Sequence, residues 1–207
     1  MNKLDKTKVE SNVKYDVLLR ANHIFDSFKN YTDGVRVLFL IHRNKEGGET
    51  NNTKVKKVIT RDSKEFKEEL IKLVDFKERS EIPYRIYSSL NKRDINKAIR
   101  KFKFEQLEAD YYDESQRNNF YYDIKNRFLG CLMQPTQRAE TLFLFDCDSI
   151  EGWNKTVQQL GELSIQIVDQ YKTKNGWHVV TPPFNPGLFN PVDDVEIKKD
   201  GLLLLDF

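Results

Sequence analysis

The chain has 207 residues, with 34 Lys and Arg against 32 Asp and Glu and a formal net charge of +2, so affinity for a phosphate-rich partner has to come from clustered charge, not from the sum. Hydrophobic residues make up 39% and charged residues 32%, and 14 Phe with 9 Tyr supply large apolar areas, which excludes a disordered chain and predicts a packed core. No run approaches the roughly 20 apolar residues of a membrane-spanning helix and the N-terminus lacks an apolar signal core, so no membrane partner is expected and the cytoplasm is the expected location.

Residues 1–12 are polar without periodicity and predict a frayed start, with order beginning near Val13. Val35 to Ile41 has the length and β-branched content of a buried strand, and Lys54 to Thr60 reads as its hairpin partner across an exposed loop. Asp62 and Glu65 match a capping box ahead of Phe66, Leu70, Leu73 and Val74, which predicts a helix over about 63–76. Tyr84 to Ser88 is a short strand candidate. A second helix, capped by Asn91 or Asp94, sets Ile95, Ala98, Ile99 and Phe102 on one face. Arg85, Lys92, Arg93, Lys97, Arg100 and Lys101 form a basic surface around it, a candidate contact for a nucleic-acid backbone or, equally, a solvated face. Residues 106–130 read as irregular helix.

From Glu140 onward the pattern changes to strands and turns. Thr141 to Cys147 predicts a strand, Glu151 to Leu163 a helix, Ser164 to Tyr171 and Trp177 to Thr181 strands, and Val195 to Phe207 two short strands. The mixture predicts an α+β protein with a mixed or antiparallel sheet and helices on one face. The division expected is a lobe at 13–135, on the nucleic-acid side, and a second at 136–207. Cys131 and Cys147 sit in apolar stretches without CxxC spacing, so both are expected as free buried thiols, with no zinc site.

Alternation along the strand places Leu142, Leu144, Asp146 and Asp148 on one side. Two neighbouring carboxylates repel unless a cation or donors lie between them, and hard cations such as Mg²⁺ or Mn²⁺ meet that need together with substrate phosphates. The alternative is that one of these Asp residues simply caps the following helix. Tyr171 to Pro183 sets Lys172, Lys174 and an Asn-Gly turn before a strand carrying His178, and ammonium groups beside a divalent ion suit a triphosphate. Leu202 to Asp206 repeats the pattern of an apolar strand ending in a carboxylate.

An apolar strand ending in Asp-x-Asp, then a strand with Gly176-Trp177-His178, then an apolar strand ending in Asp206 resembles the three motifs of the archaeo-eukaryotic primase superfamily, over about residues 140–207. The resemblance implies an RRM-like C-terminal part. It also implies a metal-dependent nucleotidyltransferase acting on nucleotides and a single-stranded or primed nucleic acid. Asp146, Asp148 and Asp206 would then be the catalytic metal ligands for Mg²⁺ or Mn²⁺, and His178, with Lys172 or Lys174, would bind the nucleotide phosphates. That requires the three carboxyl groups and His178 to converge on one cleft. Lys174-Asn175 stands where the family usually has a small residue before the glycine. The same carboxylates would serve a two-metal nuclease, and a degenerate relative or a non-catalytic binding or scaffold protein of viral type is the other alternative.

Overall fold

The computed structural model describes residues 16–21, 24, 34–42, 55–112 and 114–206. The expected frayed start at 1–12 and, apart from His42, the loop expected at 42–53 lie outside them. The strands are β1 (Gly34–His42), β2 (Val55–Thr60), β3 (Tyr84–Ser89), β4 (Arg93–Asp94), β5 (Phe143–Cys147), β6 (Asp169–Lys172), β7 (Trp177–Thr181), β8 (Val195–Lys198) and β9 (Leu202–Asp206). The helices are α1 (Ser63–Glu78), α2 (Ile95–Tyr111), α3 (Glu114–Tyr122), α4 (Ile124–Met133) and α5 (Ile150–Glu162). The protein is α+β, with one antiparallel sheet in the order β2-β1-β3-β9, carrying β4 beside β1, and a second in the order β6-β7-β5-β8.

The helix ends follow their sequence signals. Asp62 accepts from the Glu65 N–H at 2.8 Å and opens α1, while Glu65 reaches back to the Arg61 N–H at 2.8 Å. Asp94, not Asn91, caps α2 by accepting from the Lys97 N–H at 3.0 Å. On α2 the apolar face is narrower than the spacing predicts: Ala98 is buried, but Ile99 is exposed. The strand expected from Ser164 is confined to Asp169–Lys172.

Helices cover both faces of the first sheet, where the sequence pattern predicts one. In β1 every position from Val35 to Ile41 except Arg36 is apolar, so neither face can be left to water. Phe66, Leu70, Leu73 and Val74 of α1 pack on the face carrying Leu38, Leu40, Ile86, Leu203 and Leu205. Ala98 of α2 and Leu129 and Leu132 of α4 pack on the other, with Val35, Val37, Phe39, Tyr87 and Leu204. Each such buried aliphatic side chain contributes roughly 1.5–3 kcal/mol.

The second sheet lays Phe145, Cys147 and Val179 against Leu160 of α5. On its opposite face, Leu144 and Val180 join the core of the first sheet. The junction runs along the outer edge of β9, where the Leu204 carbonyl accepts from the Tyr171 hydroxyl at 2.8 Å and the Leu205 carbonyl from Arg20 at 3.0 Å. The expected lobe at 136–207 is therefore divided: β9 pairs with β3 and belongs to the first sheet. A run of four leucines suits a strand that is apolar on both sides, which that position requires.

Two residues of the predicted basic surface are internal. The Arg93 guanidinium grips Asp200 with both nitrogens, at 2.6 and 3.0 Å, and donates to the Met133 and Gln134 carbonyls at 3.3 Å. Lys92 is buried, and a Cβ on Gly34 would lie 2.8 Å from its Cδ, so the lysine stem fills space a side chain would take. Both are corrected from nucleic-acid contacts to structural parts of a polar joint between the sheets. Buried Arg36 completes it, donating to the Ser89 and Leu90 carbonyls at 2.9 and 2.7 Å and pairing with Glu140. Burial lowers the proton affinity of both Arg36 and Lys92.

Cys131 and Cys147 are free and buried, as their setting predicts. Burial pushes both thiols up to about 11, so neither forms thiolate near neutral pH. A disulfide-exchange reagent at pH 7.5 is expected to label both only as the protein unfolds. Labelling of either thiol at the rate of free cysteine in the native protein would contradict this.

Candidate functional site

Asp146 lies on β5 directly opposite His178 on β7, and His178 lies opposite Tyr171 on β6. On the other flank, Asp146 faces Glu196 on β8. Cross-strand partners share a face, so Tyr171, His178, Asp146 and Glu196 form one row across the sheet. Leu144 and Val180, one pleat further on, are sealed in the core, so this face is closed at one end and open at the other.

The open end forms a cleft of about 360 Å³ between the sheets, within the size range of small-molecule sites. One wall is polar, with Asp146, Asp148, Thr173, Lys174, Asn175, His178 and Lys198. The facing wall is the first sheet, with Ile41, Tyr87, Leu202 and Leu204, and Arg85 beside them.

Neither Asp caps α5. Ser149 does so, accepting from the Gly152 N–H at 2.9 Å, which leaves both carboxylates to the cleft. Asp148 follows the last residue of β5, and its N–H donates to the Asp194 carbonyl at 2.8 Å. The Thr173–Gly176 turn packs on this strand end so closely that a Cβ on Gly176 would lie 2.0 Å from the Cys147 carbonyl oxygen. Glycine is required there for space, and the turn it permits brings Lys174 and Asn175 into the cleft. Lys172 is exposed and pairs across the ladder with Trp177, on the face away from His178. Of the two expected phosphate-binding lysines, only Lys174 lines the site.

Hydrogen bonding sets the state of the row. The Tyr171 hydroxyl donates its one proton to the Leu204 carbonyl, so at 3.0 Å it accepts from His178 Nδ1, while His178 Nε2 lies 3.3 Å from Asp146 Oδ1. Both ring nitrogens of His178 are therefore engaged within the row. The His178 hydrogen bond, ahead of the Lys198 contacts, holds the Asp146 carboxyl well below the usual carboxylate range, against the opposing effect of burial. Burial raises the Tyr171 phenol well above its ordinary value.

Lys198 and Glu196 carry no motif signal. The clue available was their i, i+2 spacing in a strand, which puts both on one face. Lys198 Nζ lies 2.5 Å from Asp146 Oδ2 and 3.1 Å from Glu196 Oε2. Burial disfavours its charge, yet the hydrogen bonds and charges of Asp146 and Glu196 outweigh that, so its proton affinity is raised.

Asp206 is not part of the cleft wall, against the expected convergence of three carboxylates. The β3-β9 register shifts between Ile86 and Tyr87: Tyr87 pairs with Leu204, and Ile86 pairs with Asp206. The extra residue in β9 turns Asp206 to the face of Ile86 and α1, where it accepts from Lys77 at 2.8 Å. Asp146 and Asp148, by contrast, offer hard oxygen donors on one cleft wall. Among the described residues no group of three or more His, Cys, Asp or Glu side chains is gathered to hold an ion by itself. A divalent ion held there would have two carboxylates at most and would need further oxygen ligands from outside this set.

No helix among the described residues is long and apolar enough to cross a membrane. Comparison with family models, curated proteins and solved structures finds no match to this chain.

Proposed function

We propose that the cleft binds a nucleoside triphosphate with Mg²⁺ or Mn²⁺, and that the protein is a primase-polymerase-type nucleotidyltransferase whose metal ligands are Asp146 and Asp148 alone. The observation that carries the reading is the register of β5 and β7, which sets Asp146 against His178 at the mouth of a cleft also lined by Asp148, Lys174 and Arg85. Carboxylates facing cations suit a metal-bound polyphosphate, and the Tyr87 wall suits the flat apolar surface of a base. The strand order β6-β7-β5-β8, with α5 after β5, supports the RRM-like C-terminal part that the resemblance implies, with a 3-10 turn at Pro186–Leu188 between β7 and β8.

The divalent ion would neutralise charge on the transferred phosphoryl group. The chain's own part is positioning. Lys174 would hold phosphate oxygens. His178, with one ring nitrogen on Tyr171 and the other on Asp146, would orient the Asp146 carboxylate toward the ion. Lys97, Arg100 and Lys101 are exposed on α2, which covers the same sheet face that carries Tyr87 and Leu204. Arg100, Lys103, Phe104, Leu107 and Tyr111 form an outward stripe, with Phe104 67% and Tyr111 91% exposed. Basic and aromatic side chains interleaved in this way suit a single strand, held by its backbone and stacked on its bases.

The test is incorporation of a labelled nucleotide onto primed and unprimed single strands with Mg²⁺ or Mn²⁺. Asp146→Asn should lower incorporation by more than about 100-fold, since second-shell partners of a metal site alone are worth about 10–100-fold. Equal incorporation by parent and variant, or none by the parent with either metal, overturns the reading. Strand cleavage without incorporation would replace it with the nuclease.

A further inference from the structure

The polar wall contains a cation of its own, and its position is informative. Asp146 on β5 and Glu196 on β8 are directly opposed, on one face of an antiparallel pair. Two like charges in that position repel. The Lys198 ammonium lies between them, 2.5 Å from the Asp146 oxygen and 3.1 Å from the Glu196 oxygen. Glu196 is largely exposed, whereas Asp146 and Lys198 are about 70% covered, so the Asp146 contact is the less screened of the two.

From this geometry, and resting on the reading of Asp146 as a metal ligand, we infer that Lys198 is a resident counter-ion that gates metal entry: it occupies Asp146 until an anionic nucleotide draws it away. The Asp146 oxygen that Lys198 holds is one a divalent ion would need, and a dication placed there would meet an ammonium group at contact distance. A triphosphate changes the balance, because its oxygens give Lys198 an alternative partner inside the same cleft, while Glu196 keeps the lysine anchored nearby. Metal alone therefore binds weakly and metal with nucleotide binds together. Lys198 is a positioning residue in this scheme, setting the order of binding through Asp146.

The measurement is Mn²⁺ binding by calorimetry, with and without a non-hydrolysable nucleoside triphosphate. In the parent, nucleotide should strengthen Mn²⁺ binding at least about tenfold, as expected when one like charge at contact range is relieved. Lys198→Met should bind Mn²⁺ alone at least about tenfold more tightly than the parent, and lose most of the nucleotide effect. Lys198→Arg keeps the charge and should behave as the parent, which separates gating from a change in packing. Thermal unfolding of all three proteins checks that they are folded. If the parent binds Mn²⁺ alone as tightly as Lys198→Met, and Asp146→Asn abolishes that binding, the gate is overturned and the metal site stands. If no protein binds Mn²⁺ under either condition, both the gate and the proposed function fall.

Discussion

Glu140→Ala is expected to lower the unfolding free energy by about 3–5 kcal/mol, the usual consequence of stripping a buried charge of its partner, and to bring Tm down by roughly 10 °C or more. Arg36 is fully buried, and its proton affinity is already depressed by burial. Glu140 supplies the carboxylate opposite it and also accepts from the Lys92 N–H at 2.9 Å. Alanine removes both, leaving the guanidinium without its carboxylate while its Nη1 still donates to the Ser89 and Leu90 carbonyls. Replacing the pair together, Arg36→Met with Glu140→Leu, is expected to recover most of the loss, because neither member of the pair is then left without the other. A double variant as unstable as the single one, or a single variant within about 1 kcal/mol of the parent, would show that the joint is hydrated and does not rest on this pair.

Gly176→Ala is expected to reduce stability by about 1–3 kcal/mol through overpacking, and to reduce nucleotide affinity beyond what that loss explains. The added methyl carbon would start 2.0 Å from the Cys147 carbonyl oxygen and 3.0 Å from Asp148 Cα. Those neighbours are backbone, so relief has to come from moving either the strand end that carries Asp148 or the turn that carries Lys174. Both displacements open the cleft. Denaturant unfolding gives the first quantity and nucleotide calorimetry on the folded variant the second. A variant that loses stability but binds nucleotide like the parent would separate the turn from the site.

Much of this was legible in the chain. Alternation put Asp146 on one face of its strand, whereas His178 could share that face only if its strand paired there, and β5 and β7 do pair, in uninterrupted register. The same rule failed at Asp206, since it assumes a regular ladder and the extra residue between Leu204 and Asp206 is not written in a run of leucines. Lys92 and Arg93 looked like part of a solvated face because they continue into exposed Lys97 and Arg100. Their burial depends on Glu140 and Asp200, some 48 and 107 positions away. Lys198 was missed for a related reason: its meaning comes from which strand lies beside β5, and strand order is set by packing across the whole chain.

The placement of β9 has a consequence for how the molecule is made. β3, at residues 84–89, pairs with β1 on one side but gains its second neighbour only from residues 202–206, and the whole of the second sheet lies between them in the chain. During synthesis the first sheet waits with a raw edge, apolar on both faces, while β5 through β8 emerge and fold. Contacts of such long sequence separation close slowly, and an unpaired edge is where strands from other molecules attach. The interval between the emergence of β3 and the arrival of β9 is therefore when a nascent chain is most exposed to misassembly.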